Sequence, residues 1–265
     1  MRRASAGLTP VRAGALLALL AAIAGLYGVA TTGAFTVQRT SIEGATWTPE
    51  QDILAALAIP ADQNAFALRT AALEARVLGI PSVRTAEVTV ALPDEVRVAI
   101  TEREPVMFWQ VGSRRFLVDA SGLLFGGLDD TGNAGTSLPV IADDRTASAG
   151  FGVGSTLDPV TLDAALRLGS LVPADIGSAA TSLDIRVGDE EGFVVHGRPA
   201  GWAAVFGFYT PTLRTTELIP GQVRLLRSLL LGHGEENVLK VILADDRNGT
   251  FLPRATPKAS ATPKP

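Results

Sequence analysis

The sequence predicts an α+β protein: one apolar N-terminal helix, a small sheet carrying two helices, and a mixed β-sheet domain with flanking helices. Three observations lead there. Residues 13–37 hold no charged side chain. From residue 86 to 100, apolar residues alternate with polar ones, a period that gathers each set on one face of a strand. Beyond 105, short strand-like runs and helix-spaced leucines continue to residue 243. The 265 residues, 47% hydrophobic, suffice for two small packed cores.

The uncharged stretch comes first. A membrane-crossing helix needs about 20 residues to cover a hydrocarbon core of about 30 Å. Residues 13–33 supply them, and Tyr27 would lie near one interface. Arg2, Arg3 and Arg12 precede the stretch, and short Arg-rich segments stay in the cytoplasm. The expectation is a cytoplasmic tail at 1–12, a transmembrane helix at 13–33 in the lipid bilayer, and the bulk of the chain extracytoplasmic: a single-pass type II protein of the cell membrane. A cleaved signal peptide competes with this, because Gly28-Val29-Ala30 has small residues at cleavage spacing. The apolar run exceeds the ~7–15 residues of a signal core, which favours the anchor.

Residues 35–44 then read as a strand ending at Gly44. Thr48 is expected to cap a helix, with Pro49 at its first position and Gln51 closing a capping box. Ile53, Leu54 and Leu57 form that helix's apolar stripe. A second helix from 69 to 79 carries Leu73, Val77 and Leu78, and ends at Gly79 and Pro81. A hairpin follows. Ala86, Val88, Val90 and Leu92 share a face of one strand, Val96, Val98 and Ile100 of the next, and Pro93-Asp94 turns between them. The order is β-α-α-β-β.

After Pro105, residues 106–111 and 115–119 read as strands paired around Gly112-Ser113, followed by a turn at 119–122 and a strand through Leu124. Residues 129–135 read as a surface loop. Asp158-Pro159 starts a helix carrying Leu162, Leu166 and Leu171. Strands are expected near 182–187, 193–196 and 203–206, and Pro220 starts a helix with Val223, Leu226 and Leu230 on one side. Residues 238–243 form the last strand. Residues 252–265, rich in Pro, Lys, Ala and Thr, read as a disordered tail.

Composition excludes several chemistries. There are no cysteines, hence no disulfide, thiolate metal site or Cys nucleophile. Net charge is −4; without the three leading arginines, 20 basic face 27 acidic side chains, which leaves no broad footprint for nucleic acid. The two histidines, His196 and His233, fall in a strand pattern and a Gly-rich turn, a poor metal pair. The adjacent carboxylates Asp129-Asp130, Asp143-Asp144, Glu190-Glu191 and Asp245-Asp246 read as loop residues pointing apart into solvent. The glycines at 150, 152 and 154 lack the Lys and the strand-to-helix context of a phosphate loop. No catalytic, cofactor or metal residue is assigned, and no small-molecule substrate is expected.

The wording from Val83 onward is distinctive: Ala86, Val88, Val90, Leu92-Pro93, Val96, Val98, Ile100, then Glu102-Arg103-Glu104-Pro105. It resembles the POTRA domain of the FtsQ/DivIB family of bacterial cell-division proteins. The resemblance continues through Trp109, Val118-Asp119, Gly122, Leu124-Phe125 and Leu138-Pro139, where that family passes into its β domain. Two departures are Ala45, where the family commonly has Asn, and the missing Lys at the start of the penultimate helix. The resemblance implies a POTRA domain at 35–104 and an FtsQ-type β domain at 105–251. It further implies a non-catalytic scaffold at the division septum, linking early and late division proteins through POTRA recruitment and binding an FtsB/FtsL-like partner by strand addition. The candidate partner surface comprises Val238, Leu239, Lys240, Val241, Ile242 and Leu243 together with Asn248, Gly249, Thr250 and Phe251. An edge strand offers unpaired N–H and C=O groups to which another chain adds. The alternative is a membrane-anchored or secreted cell-envelope enzyme.

The arginine-led apolar stretch predicts topology. A periplasm-active reporter fused after Thr40 should work and a cytoplasm-active one should fail. An N-terminal tag should stay on the membrane-bound full-length chain; its loss near Ala30 would identify a signal peptide.

Overall fold

The computed structural model describes residues 10–30, 33–128 and 138–254. The chain divides into two compact units, the second beginning at Arg103. The expected loop at 129–135, most of the expected cytoplasmic tail and residues 255–265 of the expected disordered tail lie outside the described residues.

Helix α1 spans Pro10–Ala30, beginning three residues before the expected span. Over Pro10–Val29 its mean hydropathy is 1.8, so it is long and apolar enough to cross a membrane.

The first unit continues with β1 (Arg39–Glu43), α2 (Glu50–Leu57), α3 (Thr70–Val77), β2 (Val83–Ala91) and β3 (Glu95–Glu102). The sheet order is β1-β3-β2, with β1 parallel to β3 and β2 antiparallel to it. Val88 pairs with Val98 and Val90 with Val96, so the alternating faces meet in the anticipated register. Val88, Val96, Val98 and Ile100 bury against Ile53 and Leu57 of α2 and Leu73 and Val77 of α3. Helices on one face of a three-stranded sheet make a two-layer unit.

Four local expectations are corrected. The first strand starts at Arg39; Phe35 instead belongs to a 3-10 turn, Gly33–Phe35. Leu78 and Leu92 are exposed, because α3 ends one residue before the former and the latter sits in the hairpin turn. Thr48 does not cap α2, which starts at Glu50 after Pro49 with no side-chain cap. Its hydroxyl meets Ser82 Oγ at 2.7 Å in the interior. The N–H groups ahead of the helix go to Glu102 at the end of β3. That carboxylate accepts from Thr46 at 2.8 Å, Trp47 at 2.9 Å and Thr48 at 2.6 Å. Burial works to raise the Glu102 pKa, but the bonds from Thr48, Trp47 and Thr46 prevail and hold it below the usual carboxylate range.

Gly44 joins β1 to this corner at φ +88, and a Cβ there would overlap the Ile100 carbonyl oxygen. The Gly required at the strand's end is thus a close approach of backbone to backbone.

The second unit is a nine-stranded mixed sheet. Its strands are β4 (Pro105–Val111), β5 (Arg114–Asp119), β6 (Leu124–Leu128), β7 (Val140–Asp143), β8 (Ser182–Gly188), β9 (Gly192–Arg198), β10 (Ala203–Gly207), β11 (Val238–Leu243) and β12 (Gly249–Pro253), in the order β12-β11-β10-β9-β8-β7-β4-β5-β6. Antiparallel neighbours need only turns, whereas the parallel pairs β4–β7, β7–β8 and β10–β11 need longer connections. Strands β5 and β6 intervene in the first, helix α4 (Pro159–Gly169) crosses over in the second and α5 (Ile219–His233) in the third. Helix α4 begins at Pro159, as expected; Asp158 caps it, accepting from Val160 and Thr161, and Leu162 is buried, while Leu171 lies beyond the helix. One core holds Trp109 and Phe206 from the sheet, Trp202 from the β9–β10 turn, and Leu168, Leu226 and Leu230 from the two helices.

Asp143 departs from its expected solvent position. It is 2% exposed, takes the Trp109 indole N–H at 3.0 Å and pairs with Arg145 at 2.8 Å. Burial opposes its charge, yet the Arg145 and Ser148 bonds hold its pKa low. Asp144, its neighbour, pairs with Arg186.

The register predicts sharply different substitutions on adjacent residues. Val98→Asp should cost about 3–5 kcal/mol by burying an unpaired carboxylate. Arg97→Thr, which breaks an exposed pair with Glu95, should cost about 1 kcal/mol or less. Urea denaturation of both variants checks the register. Because the folded Glu102 pKa lies below its unfolded value, its contribution is present above the unfolded pKa and lost as pH falls through the folded one. Glu102→Gln should therefore flatten the acid limb of stability against pH below about 4.5.

Candidate partner-binding edge

The sequence places the last strand at 238–243 and treats it as a sheet edge. The structure differs. Strand β11 is interior, parallel to β10 on one side and antiparallel to β12 on the other. The edge is β12, which reaches Pro253 and so takes in the first residues of the expected tail. Phe251 faces Val241, Thr250 faces Ile242 and Gly249 faces Leu243. All ten candidate residues therefore lie on one hairpin, with only Gly249, Thr250 and Phe251 in the edge strand itself.

The turn explains why the hairpin closes. The Asp245 carboxylate accepts from the backbone of Arg247 at 2.7 Å and Asn248 at 2.6 Å and from the Asn248 amide at 2.7 Å. This is the Asx geometry that short polar side chains favour. The Asn248 side chain, then those backbone N–H groups, hold the Asp245 pKa low.

Alternation along β12 shows which groups are free. The Asn248 carbonyl accepts from Ala244, and the Arg254 N–H donates to the Asn237 carbonyl, so even-numbered residues turn towards β11. Gly249 and Phe251 then direct their N–H and C=O groups outward. Pro253 shares their parity but has no N–H, the position where an edge strand tolerates proline.

Helix α5 supports the edge from beneath. The Phe251 ring stacks on His233 at 3.8 Å between centroids. His233 thus ends α5 and is not a turn residue, as expected from its glycine neighbours. A Cβ on Gly221 would overlap the Asp246 side chain, so the first turn of α5 lies directly against the β11–β12 turn. Gln222, fully buried, donates to the carbonyls of Phe206 and Leu243 at 3.2 and 3.1 Å and accepts from Tyr209 at 2.7 Å. Burial pushes the Tyr209 phenol pKa up. Arg214 donates to Phe206 at 2.6 Å, to Leu243 at 2.8 Å and also to Ala244. These two side chains gather the C-terminal ends of β10 and β11. Sequence periodicity gave no sign of either.

On the sheet face away from the helices, Leu239, Ile242 and Leu252 are exposed. Lys240 pairs there with Glu191. His196 lies on the same face in β9; burial and then the charges of Arg198 and Arg186 lower its pKa. Among the described residues, no group of three or more His, Asp or Glu side chains is placed to hold a metal. The glycine segment after 150 runs beside β6, with Gly154 donating to Leu124 and Leu124 to Ser155.

Residues 35–103 match the family model described as POTRA domain, FtsQ-type. The cell division protein FtsQ of Mycobacteroides abscessus is 31% identical over 174 residues, 64% of this chain and 55% of that protein. Its counterpart in Chloroflexus aurantiacus is 26% identical over 232 residues, 86% of this chain and 73% of the relative. That of Koribacter versatilis is 42% identical over 80 residues, 30% of this chain and 23% of the relative. The match thus spans about half of the Mycobacteroides protein and a quarter of the Koribacter one.

The clasp predicts a stability effect. Arg214→Met leaves the Ala244 carbonyl without that donor and should lower unfolding free energy by about 1–3 kcal/mol. Amide exchange in 249–253 should accelerate with it, measured by hydrogen–deuterium exchange.

Proposed function

Because this chain belongs to the FtsQ/DivIB family of bacterial cell-division proteins, we propose that it is a non-catalytic, bitopic membrane scaffold of the division machinery. Its POTRA unit serves recruitment, and its β12 edge accepts a strand from an FtsB/FtsL-like partner. The chain links early and late division proteins at the septum, with α1 in the cell membrane, the arginines before it in the cytoplasm and both units outside. The observation that carries the partner reading is the edge itself. Gly249 and Phe251 point backbone donors and acceptors away from the sheet, and an added strand satisfies them. Leu239, Ile242 and Leu252 flank this edge with exposed apolar surface, which gives an added chain side-chain contacts as well.

The alternative reading, a cell-envelope enzyme, is separated by assaying residues 34–265 on peptidoglycan, where a scaffold gives no turnover. For the edge, two substitutions at one residue isolate the backbone. Phe251→Pro removes the outward N–H and the ring; Phe251→Ala removes only the ring. Pull-down of the FtsB-like partner should fall much further for proline than for alanine, with circular dichroism confirming that both fold. Equal capture by the two variants would place the interface elsewhere.

A further inference from the structure

The chain leaves α1 at Ala30 and turns through Gly33–Phe35. The half-buried Phe35 ring lies 5.0 Å from that of Phe66, tilted by 54°. Phe66 is 56% exposed. Its exposure is built in. It sits in a second 3-10 turn, Ala65–Ala67, capped by the Asn64 side chain, which accepts the Phe66 N–H at 2.9 Å. That turn is tied to the segment ahead of β1: Thr36 bridges Asn64, and the Val37 N–H donates to the Gln63 carbonyl at 3.0 Å. Residues 31–38 and 63–68 carry no charge.

Chain length bounds where this aromatic pair lies. Three extended steps and a 3-10 turn take the backbone at most about 15 Å from Ala30 to Phe35. Helix α1, at 1.5 Å per residue, is about 31 Å long, the thickness of the hydrocarbon core. The headgroup layers add about 5–7 Å on each side. An uncharged, outward-held aromatic ring is therefore kept within reach of the interface, the zone where amphipathic surfaces place Phe and Leu. Exposed Asp62 and Arg69 bound this uncharged run with charges of opposite sign, so the apolar ring is what the patch offers to lipid.

We propose that Phe66, seated on Phe35, inserts into the interfacial layer of the bilayer and holds the POTRA unit against the membrane surface. The proposal rests on the reading of α1 as a membrane anchor. The occupant of this patch is lipid, not another protein.

The chain's lack of cysteine allows a direct test in the full-length protein. Single cysteines replace Ile23, Ala67 or Arg97 and carry an environment-sensitive fluorophore. The variants are reconstituted in phosphatidylethanolamine–phosphatidylglycerol vesicles with brominated acyl chains. Labels at 23 and 67 should be quenched and blue-shifted, and the label at 97 should not. Adding Phe66→Ser to the Ala67→Cys variant should abolish quenching at 67 and leave that at 23. An unquenched label at 23 removes the anchor and this contact with it. Quenching at 23 with a label at 67 behaving like that at 97 overturns the contact alone. Quenching at 67 that survives Phe66→Ser overturns the role of this ring.

Discussion

An open sheet has two ends, and the second unit is arranged around that constraint; its helices pack into one core, while Phe108, Leu117 and Phe125 form a smaller buried cluster apart from it. Of its parallel pairs, β7–β8 and β10–β11 are joined by helical crossovers and β4–β7 through β5 and β6. The β6 end is strapped by backbone bonds from 154–157. At the other end, β12 has no such strap among the described residues. Its order comes from α5, which supplies Gln222 to the strand termini, Gly221 to the turn and His233 to the Phe251 ring.

Much of this was legible in residue order. The hairpin of the first unit has one wet and one dry face, so alternation revealed both its strands and its register. Asp158 before Pro159 announced α4 because the cap and the groups it satisfies are three residues apart. Features that depend on distant partners were not legible. The N–H groups of 46–48, just ahead of α2, go to Glu102, more than fifty residues away, and the Thr48 hydroxyl goes to Ser82, so Thr48 was a reasonable but wrong local choice of cap. Strand β12 contains Gly249 and Pro253 in five residues, and its extended state comes from pairing with β11 rather than from propensity. Asp143 looked like a loop carboxylate until Trp109 and Arg145 closed on it.

Adjacent residues at the unit boundary have separate allegiances. Glu102 belongs to the first unit through the N–H groups at 46–48, and Arg103 to the second through Asp119 at 2.8 Å. Asp119 also accepts from Ser121 and Leu123, closing the turn between β5 and β6. A change at either position thus acts first on one unit's own corner.

Pro253 sets a time scale. With no N–H at the third outward position, a strand added along β12 would meet, among the described residues, Gly249 and Phe251 as the two that both donate and accept. A ladder that short is a weak clamp, and the lifetime of a contact follows from how many bonds must break together. Were a strand partner held nearby by a tether, it would return at high effective concentration, so rapid release would not mean loss. An edge of this length would favour exchange of an added strand over its permanent capture.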